Sequence, residues 1–543
     1  MFAEPNPPVH DYELSDDFLV RRARAQIRDC RKNHIQCKAT AGRLPKRVID
    51  VNPTGDGSTV RVHITGRHEK TPYVALSYCW GGEQKVTTTA KTLAANLISI
   101  PKNTLDQTIQ DAIVMTKKLG FHYLWVDSLC IIQDNYDDKA KEIQVMDDIF
   151  RNATLTIAAA SAAHAHQGFL GPKCAAMLES KHKLPLRLPE GELGYITAIA
   201  EKTIKGKAKW PLETRAWALQ EAILSRRMLI FADGDVRYQC QTLDLYPVVP
   251  NPVVYADHIE RLPRRHHELK TFLQVKWYDI LEDYTRRSLS NENDRLIAIS
   301  GIVKRLQSRM ANTVDMDTDE YFAGMWKSGI AGNLLWYTRS PLPINSSMTR
   351  SSIAQNSPSF SWASLGAPVN FLGVLTPSVT FLQWGEKSDD FIRLPGQGET
   401  FATLTVKAFI LPLKRLLFDH LPKLCQVEAV TLTDLSMVLH IFEDYEGREG
   451  FEVSDNSVLL RVDDGANSRD HRGVICNRVE GAKYLRRVGV YSELDWESRA
   501  REVGKVDGVG LGEEKTVELT RLQKVLAKPE AWAGYTRAEV TLV

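Results

Sequence analysis

The stretch FHYLWVDSLCIIQD, Phe121 to Asp134, decides the fold class of this chain. It contains a short run of aromatic and branched residues, Tyr123 to Val126, directly after Gly120. A continuous apolar run of this length is typical of a strand buried on both faces of a parallel sheet. Asp127 and Ser128 follow, so polar groups lie where ligands bind in open α/β sheets. Asp127 has two interpretations: a turn residue that closes the strand, or an acid that faces a ligand.

The residues on either side of this stretch predict further strands and a connecting helix. YVALSY, Tyr73 to Tyr78, is a second buried strand, and Thr104 to Leu119 opens with a capping box and carries apolar residues at helical spacing. Gly120 stands where such a helix ends in a left-handed conformation. Strand, helix and strand in this order predict two parallel strands. Thr154 to Ala160 and Met228 to Ala232 predict a third and a fourth strand.

Two predicted helices carry carboxylates whose surroundings the pattern leaves open. Lys139 to Asn152 has an apolar stripe, and Glu142 is expected on its solvated side. In Glu213 to Arg226, ETRAWALQEAILSR, Glu221 lies at the edge of the apolar arc beside Trp217. Glu221 either begins the wet face of the helix or points into a crevice, where burial would raise its pKa.

The residues that follow the strand Tyr73 to Tyr78 are Cys79, Trp80, Gly81 and Gly82. Paired glycines at this point allow close approach of the backbone to a ligand or to another chain segment. The alternative is a tight turn held by Trp80. Neither glycine-rich phosphate-binding spacing is present, so this is not a phosphate loop.

Composition and charge limit the classes of function. The chain has 543 residues with 69 Lys plus Arg and 67 Asp plus Glu, a net charge of +2. Such a balance gives no general electrostatic argument for nucleic acid as a partner. The sequence shows neither a signal peptide nor the run of about 18–20 apolar residues that a membrane span needs. We therefore expect a cytoplasmic protein with no membrane span, whose cysteines are reduced thiols.

Three potential metal ligands, Cys30, His34 and Cys37, lie close together near the start of the chain. A structural zinc site needs a fourth ligand, and none is evident in the sequence. The sequence therefore predicts no metal site, and a packed helix end at this point. His164 and His166 are expected to be solvated loop residues.

The pattern divides the chain into four regions. Residues 1–50 form an N-terminal arm and helix, and residues 51–245 form the α/β domain. Residues 246–345 read as helical, including a helix from Tyr321 to Tyr337. Residues 346–543 show period-two alternation, which predicts a smaller β-rich C-terminal domain.

Three long motifs resemble the three blocks of the fungal heterokaryon incompatibility (HET) domain, in order and in spacing. They are YVALSYCWGG, LGFHYLWVDSLCIIQDNYDDKAKEIQVMDDIFRNATLTIAAAS and RAWALQEAILSRRMLIF. The later segments DRLIAISGI, YFAGMW and PSFSWASL resemble segments that accompany this domain in large fungal proteins. Two departures are mild: Ala216 stands where the family commonly has Gly, and Phe360 where Trp is usual.

The resemblance implies a fold similar to that of TIR domains: a flavodoxin-like parallel sheet flanked by helices. It also implies a role in nonself recognition between fungal cells, a form of innate immunity that ends in growth arrest or programmed cell death. Some TIR relatives cleave the glycosidic bond of NAD with a Glu on a helix that starts near a Trp. Glu221, four residues after Trp217, matches that motif. NAD would then be a substrate, with no cofactor, and Glu221 the catalytic residue.

The residues expected to bind the substrate are at the strand ends and near the start of the Glu221 helix. They are Ser77, Tyr78, Trp80, Gly81, Asp127, Ser128 and Trp217. The face of Trp80 would stack on the nicotinamide or adenine ring. A carboxylate at Glu221 would stabilise the oxocarbenium-like state through which an N-glycosidic bond breaks.

Other functions are compatible with the same residues. The HET-like domain could be a non-catalytic module that signals by self-association or by binding a fungal protein partner. Thiol chemistry at Cys79 or Cys130 would need a histidine beside the thiol, and His122 is expected at the opposite end of the strand from Cys130. An enzyme recruited to a biosynthetic pathway is a further alternative that the residues neither favour nor oppose.

Overall fold

The computed structural model describes most of the first 242 residues and separate stretches of the remainder. The described residues are 16–37, 43–170, 181–187, 193–199, 210–232, 235–242, 266–311, 319–338, 357–358, 360–371, 380–385, 403–412, 439–443, 457–463, 472–478, 484–493 and 537–542. The first 15 residues of the predicted N-terminal arm lie outside them. The chain forms two compact units, Met1–Arg261 and Leu262–Val543.

The first unit alternates strands and helices. Its described strands are β1 Arg47–Asp50, β2 Thr59–Ile64, β3 Tyr73–Ser77, β4 Ile100–Pro101, β5 Tyr123–Trp125, β6 Leu155–Ala159, β7 Lys181–Arg187, β8 Leu193–Ile199, β9 Arg227–Ala232 and β10 Asp235–Cys240. Its described helices are α1 Asp16–Asn33, α2 Leu93–Ile98, α3 Gln107–Leu119, α4 Asp127–Cys130, α5 Tyr136–Gln144, α6 Met146–Asn152 and α7 Ala216–Leu224. The four strands expected from apolar runs are β3, β5, β6 and β9.

An eight-stranded sheet in the order β10-β9-β6-β3-β5-β1-β2-β4 forms the centre of this unit. The four strands β9, β6, β3 and β5 are parallel, with Val74 of β3 paired to Leu124 on one side and Leu155 on the other. The outer strands pair antiparallel. The α/β class and the parallel strands are therefore confirmed, whereas the sheet as a whole is mixed.

The order of the parallel strands indicates where a ligand crevice is expected. Numbered along the chain, the four strands β5, β3, β6 and β9 lie in the order 2-1-3-4, as in doubly wound α/β sheets. In such sheets the connections leave the first and third strands in opposite directions, which opens a crevice at their carboxyl ends. Here that point lies between β3 and β6.

The parallel strands are continuous apolar runs because both of their faces are covered. Every residue of β3 and of β6 is buried. Trp125 at the end of β5 packs edge-on against Phe150 of α6, with ring centroids 5.6 Å apart. Burial of each such aromatic side chain stabilises the fold by about 1.5–3 kcal/mol.

The helix before β5 follows the sequence prediction at its end and departs from it at its start. Gly120 has φ of 88° and closes α3 in the left-handed conformation, as expected. The helix begins at Gln107, and the predicted capping box at Thr104 is absent. The Asp106 carboxylate instead accepts from the backbone N of Lys85, 2.9 Å away. The single helix predicted over Lys139 to Asn152 is interrupted at Val145.

The second unit contains helices and short strands, followed by longer strands. Its described helices are α8 His266–Thr285, α9 Ile297–Met310 and α10 Ile330–Asn333. Its described strands are β11 Tyr321–Phe322, β12 Met325–Trp326, β13 Trp336–Tyr337, β14 Asn370–Phe371, β15 Thr380–Gly385, β16 Thr403–Pro412, β17 Leu439–Glu443, β18 Ser457–Asp463, β19 Arg472–Arg478, β20 Tyr484–Glu493 and β21 Arg537–Leu542. The strands β15 to β21 form a seven-stranded sheet.

The helix predicted from Tyr321 to Tyr337 is wrong. This segment holds β11, β12, α10 and β13. Ala323 and Gly324 have φ of 47° and 89°, a left-handed turn that no α-helix accommodates. Gly324 also accepts a hydrogen bond from the buried Trp362 indole, so tertiary packing overrides the local apolar spacing.

The structure also bears on membrane insertion. Within the described ranges, none of the helices has the length and apolar character that crossing a bilayer requires.

Candidate functional site

Polar side chains gather at the carboxyl ends of β3 and β5, as the sequence predicts. Ser77 ends β3, and the helix α4 begins at Asp127, two residues after the end of β5. Ala75 and Trp125 are paired in register, so the polar residues that follow the two strands meet at one edge of the sheet.

A hydrogen-bonded network joins the two strand ends. The Tyr78 hydroxyl lies 3.0 Å from the Ser128 Oγ, and both side chains are buried. Burial holds the pKa of Tyr78 well above its usual range, so this hydroxyl stays protonated. The Trp80 indole Nε1 donates to Asp127 Oδ2 at 2.9 Å, and Asp127 Oδ1 accepts from the backbone N of Ser128 at 2.7 Å. The network fixes the Trp80 ring and the Asp127 carboxylate relative to each other.

Glu221 reaches this network from α7. Only 6% of its surface is exposed, and its Oε2 accepts a hydrogen bond from the Ser77 hydroxyl. Burial raises the pKa of Glu221 to about 7, the charge of Arg215 and the Ser77 hydrogen bond oppose this rise, and the charge of Asp127 adds to it. The sequence left open whether Glu221 begins the wet face of its helix or is buried. The structure shows that it is buried.

Arg215, the residue directly before α7, supplies the positive charge of the site. Its Nη1 donates to the carbonyl of Tyr78, which holds the start of α7 against the end of β3. Burial raises the pKa of Asp127, and Arg215 and the Trp80 indole oppose that rise. One guanidinium thus acts on two carboxylates. Near neutral pH the Glu221 carboxyl group therefore exchanges a proton, which is what general acid–base catalysis requires.

The site has a buried part and a partly exposed part. Ser77, Tyr78, Ser128 and Glu221 are buried. Trp80, Asp127, Arg215 and Trp217 are partly exposed. Trp80 and Asp127 therefore keep some exposed surface at the strand ends, close to the buried Glu221.

Gly81 has a packing role that the sequence left open. Its φ is 66°, and a Cβ at this position would lie 2.5 Å from the carbonyl oxygen of Ala163. His164 approaches from the same loop, with its Nδ1 2.7 Å from the Gly81 carbonyl. The glycine thus allows close approach of another chain segment. Of the predicted substrate-binding residues, Trp217 packs at the rim of the main core.

A second cluster of charged side chains lies elsewhere in the same unit. Asp138 is in ion pairs with Arg47 and with Lys46, the latter at 2.7 Å, and Arg47 also lies 3.4 Å from Glu142. The prediction that Glu142 is solvated is wrong: its surface is 3% exposed, because Arg47 offers it a buried partner. The backbone carbonyl of Cys130 accepts from Arg47 Nε at 2.5 Å.

The protonation of this cluster follows its ion pairs. Burial acts to raise the pKa of Asp138, but hydrogen bonds from Lys46, the backbone N of Ile132 and Arg47 together lower it below its usual range. Burial raises the pKa of Glu142, with Arg47 opposing the rise.

Cys79 and Cys130 do not have the surroundings of catalytic cysteines. Burial raises the pKa of Cys79, and it raises that of Cys130 to about 12. A nucleophilic cysteine needs the opposite shift. The structure therefore disfavours the thiol alternative.

The sequence analysis did not identify two residues that contribute to these clusters, Arg215 and Cys240. Arg215 stands six residues before Glu221, at a helix boundary where its contact with β3 has no local signal. Cys240 joins Cys30, His34 and Cys37, and its Sγ lies 3.3 Å from His34 Nδ1. The premise that these three residues lack a fourth partner is therefore wrong, because the fourth comes from a strand about two hundred residues away in sequence.

The fold and the site define an α/β domain with a parallel core and a buried carboxylic acid at its strand ends. Residues 73–221 match the family model described as Heterokaryon incompatibility protein (HET). The chain therefore contains a HET domain, as the three motifs indicated, and the match runs from the first residue of β3 to Glu221. No curated protein and no solved structure matches this chain.

Proposed function

We propose that this chain is a fungal nonself-recognition protein of the cytoplasm, whose TIR-like HET domain cleaves NAD and so triggers growth arrest or programmed cell death. One observation carries the proposal. Glu221 is buried, hydrogen-bonded to Ser77 and close to Arg215, and its pKa is raised to about 7. The position of this carboxylic acid, beside the point where the strand order reverses, supports a ligand-facing role.

The reaction is hydrolysis of the bond between ribose C1′ and the nicotinamide nitrogen. As this bond breaks, its electron pair goes to the pyridinium nitrogen, and neutral nicotinamide leaves. The ionised Glu221 carboxylate stabilises the positive charge that develops on the ribose. Water then adds to C1′ and gives its proton to Glu221, from which it passes to solvent. The products are nicotinamide, ADP-ribose and a proton.

The neighbours of Glu221 have distinct roles in this proposal. Ser77 holds the carboxylate in place through its hydroxyl. Trp80 offers a ring on which nicotinamide or adenine stacks, in an orientation fixed by its hydrogen bond to Asp127. Asp127 also acts through its charge, which raises the pKa of Glu221.

The experiment compares nicotinamide release from NAD by the purified full-length protein, by Glu221→Gln and by Glu142→Gln. The control is matched: it makes the same change at a second buried glutamate beside an arginine in the same unit. We expect release from the wild type and the control, and a loss of about 10²-fold or more in Glu221→Gln. Folding of each variant is checked by its unfolding transition.

Two outcomes would overturn the catalytic proposal. One is a folded wild type that releases no nicotinamide, and the other is a Glu221→Gln variant as active as the wild type. Growth arrest that persists in fungal cells expressing Glu221→Gln would instead favour the non-catalytic module, which signals by self-association or through a protein partner.

A further inference from the structure

The cluster of Cys30, His34, Cys37 and Cys240 lies outside the Glu221 site and has no part in the proposed reaction. Cys30 is in the last turns of α1, His34 follows that helix, and Cys37 ends the short 3-10 helix Ile35–Cys37. Cys240 is the last residue of β10, the edge strand of the central sheet. The four potential ligand atoms all lie within 4.8 Å of one another.

We infer that these four residues bind one structural zinc ion. In tetrahedral zinc sites the Zn–S distance is about 2.3 Å and the Zn–N distance about 2.0 Å, so a sulfur and a nitrogen ligand lie about 3.5 Å apart and two sulfur ligands about 3.8 Å apart. Cys240 Sγ and His34 Nδ1 are 3.3 Å apart, which is a distance of this size. Three cysteines and one histidine form a set found in closed structural sites, and thiolate and imidazole ligands select zinc over magnesium or calcium.

A disulfide is a poorer account of the same cluster. Cys30, Cys37 and Cys240 are all free thiols. Three thiols cannot pair completely, since one is always left over. A zinc ion uses all four side chains at once.

Arg227 provides an independent observation that favours thiolates here. Its side chain is 1% exposed, and its Nε donates to Cys30 Sγ at 3.1 Å. Its other described hydrogen bonds go to backbone carbonyl oxygens of Cys37, at 2.5 Å, and Thr154, at 3.3 Å. A buried guanidinium requires nearby negative charge. Three thiolates around Zn²⁺ carry one net negative charge, which offsets Arg227, whereas three neutral thiols carry none.

The ion would fasten two distant parts of the first unit together. His34 and Cys240 are 206 residues apart in sequence. All four coordination positions are filled by side chains, so no position is open for a substrate and the site is structural. Zinc binding to such a site contributes directly to the free energy of folding.

The test begins with the wild-type full-length protein, expressed with zinc and purified under reducing conditions without chelator. We expect about one zinc per chain by elemental analysis. After exchange into cobalt, we expect the visible d–d bands and thiolate-to-cobalt charge-transfer absorption of a tetrahedral sulfur-rich site. Removal of the metal with a strong chelator should lower the Tm of the wild type.

Matched cysteine variants then assign the ligands. Cys240→Ser should lose the zinc and the cobalt–thiolate bands. Cys130→Ser, a buried free thiol of the same unit outside the cluster, should retain both.

The inference is overturned by a folded wild type that contains no zinc and shows no cobalt–thiolate absorption after incubation with equimolar Co²⁺. It is equally overturned if Cys240→Ser keeps the zinc content and cobalt spectrum of the wild type. Should Cys240→Ser precipitate, the wild-type cobalt spectrum and the effect of the chelator on Tm decide the question.

Discussion

Two clusters in the first unit each bring one arginine close to two carboxylates, and they differ in what neutralises the acids. In the Arg47 cluster, Asp138 touches both Arg47 and Lys46. Among the described contacts of the Arg215 cluster, neutral groups donate to both acids: the Ser77 hydroxyl to Glu221, and the Trp80 indole and the backbone N of Ser128 to Asp127.

The difference shows what decides whether a buried acid stays ionised and stabilises the fold, or changes its protonation near neutral pH. Direct cationic partners lower the pKa of Asp138, so it stays ionised and serves stability. Glu221 is equally buried, and among the described residues the Ser77 hydroxyl donates to it while the charge of Arg215 acts on both Glu221 and Asp127; its pKa is raised to about 7. Glu142, 3.4 Å from Arg47, also has a raised pKa, because its burial outweighs the opposing charge of Arg47.

The largest expected effect comes from breaking the ion-paired cluster. Asp138→Asn removes the ionised acid that pairs with Arg47 and leaves the buried guanidinium with Glu142, whose pKa is raised, so the fold should be destabilised by about 3–5 kcal/mol. Urea unfolding at pH 7 measures the loss. Asp137→Asn, at the exposed neighbouring position, is the control and should stay within about 0.5 kcal/mol of the wild type. A loss below about 1 kcal/mol in Asp138→Asn would show that the pair is not a structural anchor.

The second prediction is a gain in folding stability rather than a loss, in the variant Glu221→Gln. Because the folded-state pKa of Glu221 is about 7 against an ordinary 4.5, the folded protein holds a proton that the unfolded chain releases. The wild type therefore loses stability as pH rises from 4.5 through 7. Glu221→Gln escapes this loss and should be more stable than the wild type by up to about 3 kcal/mol at pH 8.

Urea unfolding of both proteins at pH 4.5, 6 and 8 checks this. The difference should fall below about 0.5 kcal/mol at pH 4.5, where the wild-type acid is protonated in the folded state and about half protonated in the unfolded chain. A Glu221→Gln variant that is less stable than the wild type at pH 8 would show that Glu221, like Asp138, is an ionised acid that stabilises the fold.

A smaller effect is expected from Ser77→Ala. The Ser77 hydroxyl opposes the rise in the Glu221 pKa, so its loss should move that pKa above 7. If NAD is the substrate, the rising limb of the pH–rate profile, which lies near pH 7 in the wild type, should move to higher pH. The stability cost should be about 1 kcal/mol. Ser99→Ala, at an exposed position, is the control, and an unmoved limb would contradict the role of Ser77.

The smallest effect is expected from Trp80→Phe. The ring stays apolar, but the Nε1 donor to Asp127 is lost, which should cost about 0.5 kcal/mol because the indole is partly exposed. The Asp127 pKa should rise, because this hydrogen bond opposes its elevation. Carboxyl chemical shifts of Asp127 followed through a pH titration measure that rise, and an unchanged midpoint would mean that the indole does not stabilise the carboxylate.

The sequence predicts what is local and misses what joins distant segments. β3, β5 and β6 were found because strands covered on both faces are continuous apolar runs. Glu221 was found as a candidate because it borders the apolar arc of its helix. The burial of Glu142 could not be found, since its partner Arg47 lies 95 residues earlier.

The same reasoning explains the remaining differences. Arg215 and Cys240 carry no periodic signal, and only the folded chain brings them to Tyr78 and His34. The segment from Tyr321 to Tyr337 has apolar residues at helical spacing, yet the left-handed residues at Ala323 and Gly324 divide it into short elements. Local spacing cannot reveal such a turn, because Ala is ordinarily a strong helix former.

The central sheet extends beyond both ends of the family match. Residues 73–221 contain β3, β4, β5 and β6 of that sheet, but β1, β2, β9 and β10 lie outside them. A fragment cut at those bounds would expose the hydrogen-bonding edges of β5 and β6, both apolar, and should aggregate by edge-to-edge pairing. A stable recombinant form of the domain should therefore span residues 16–242, which carry every strand of that sheet.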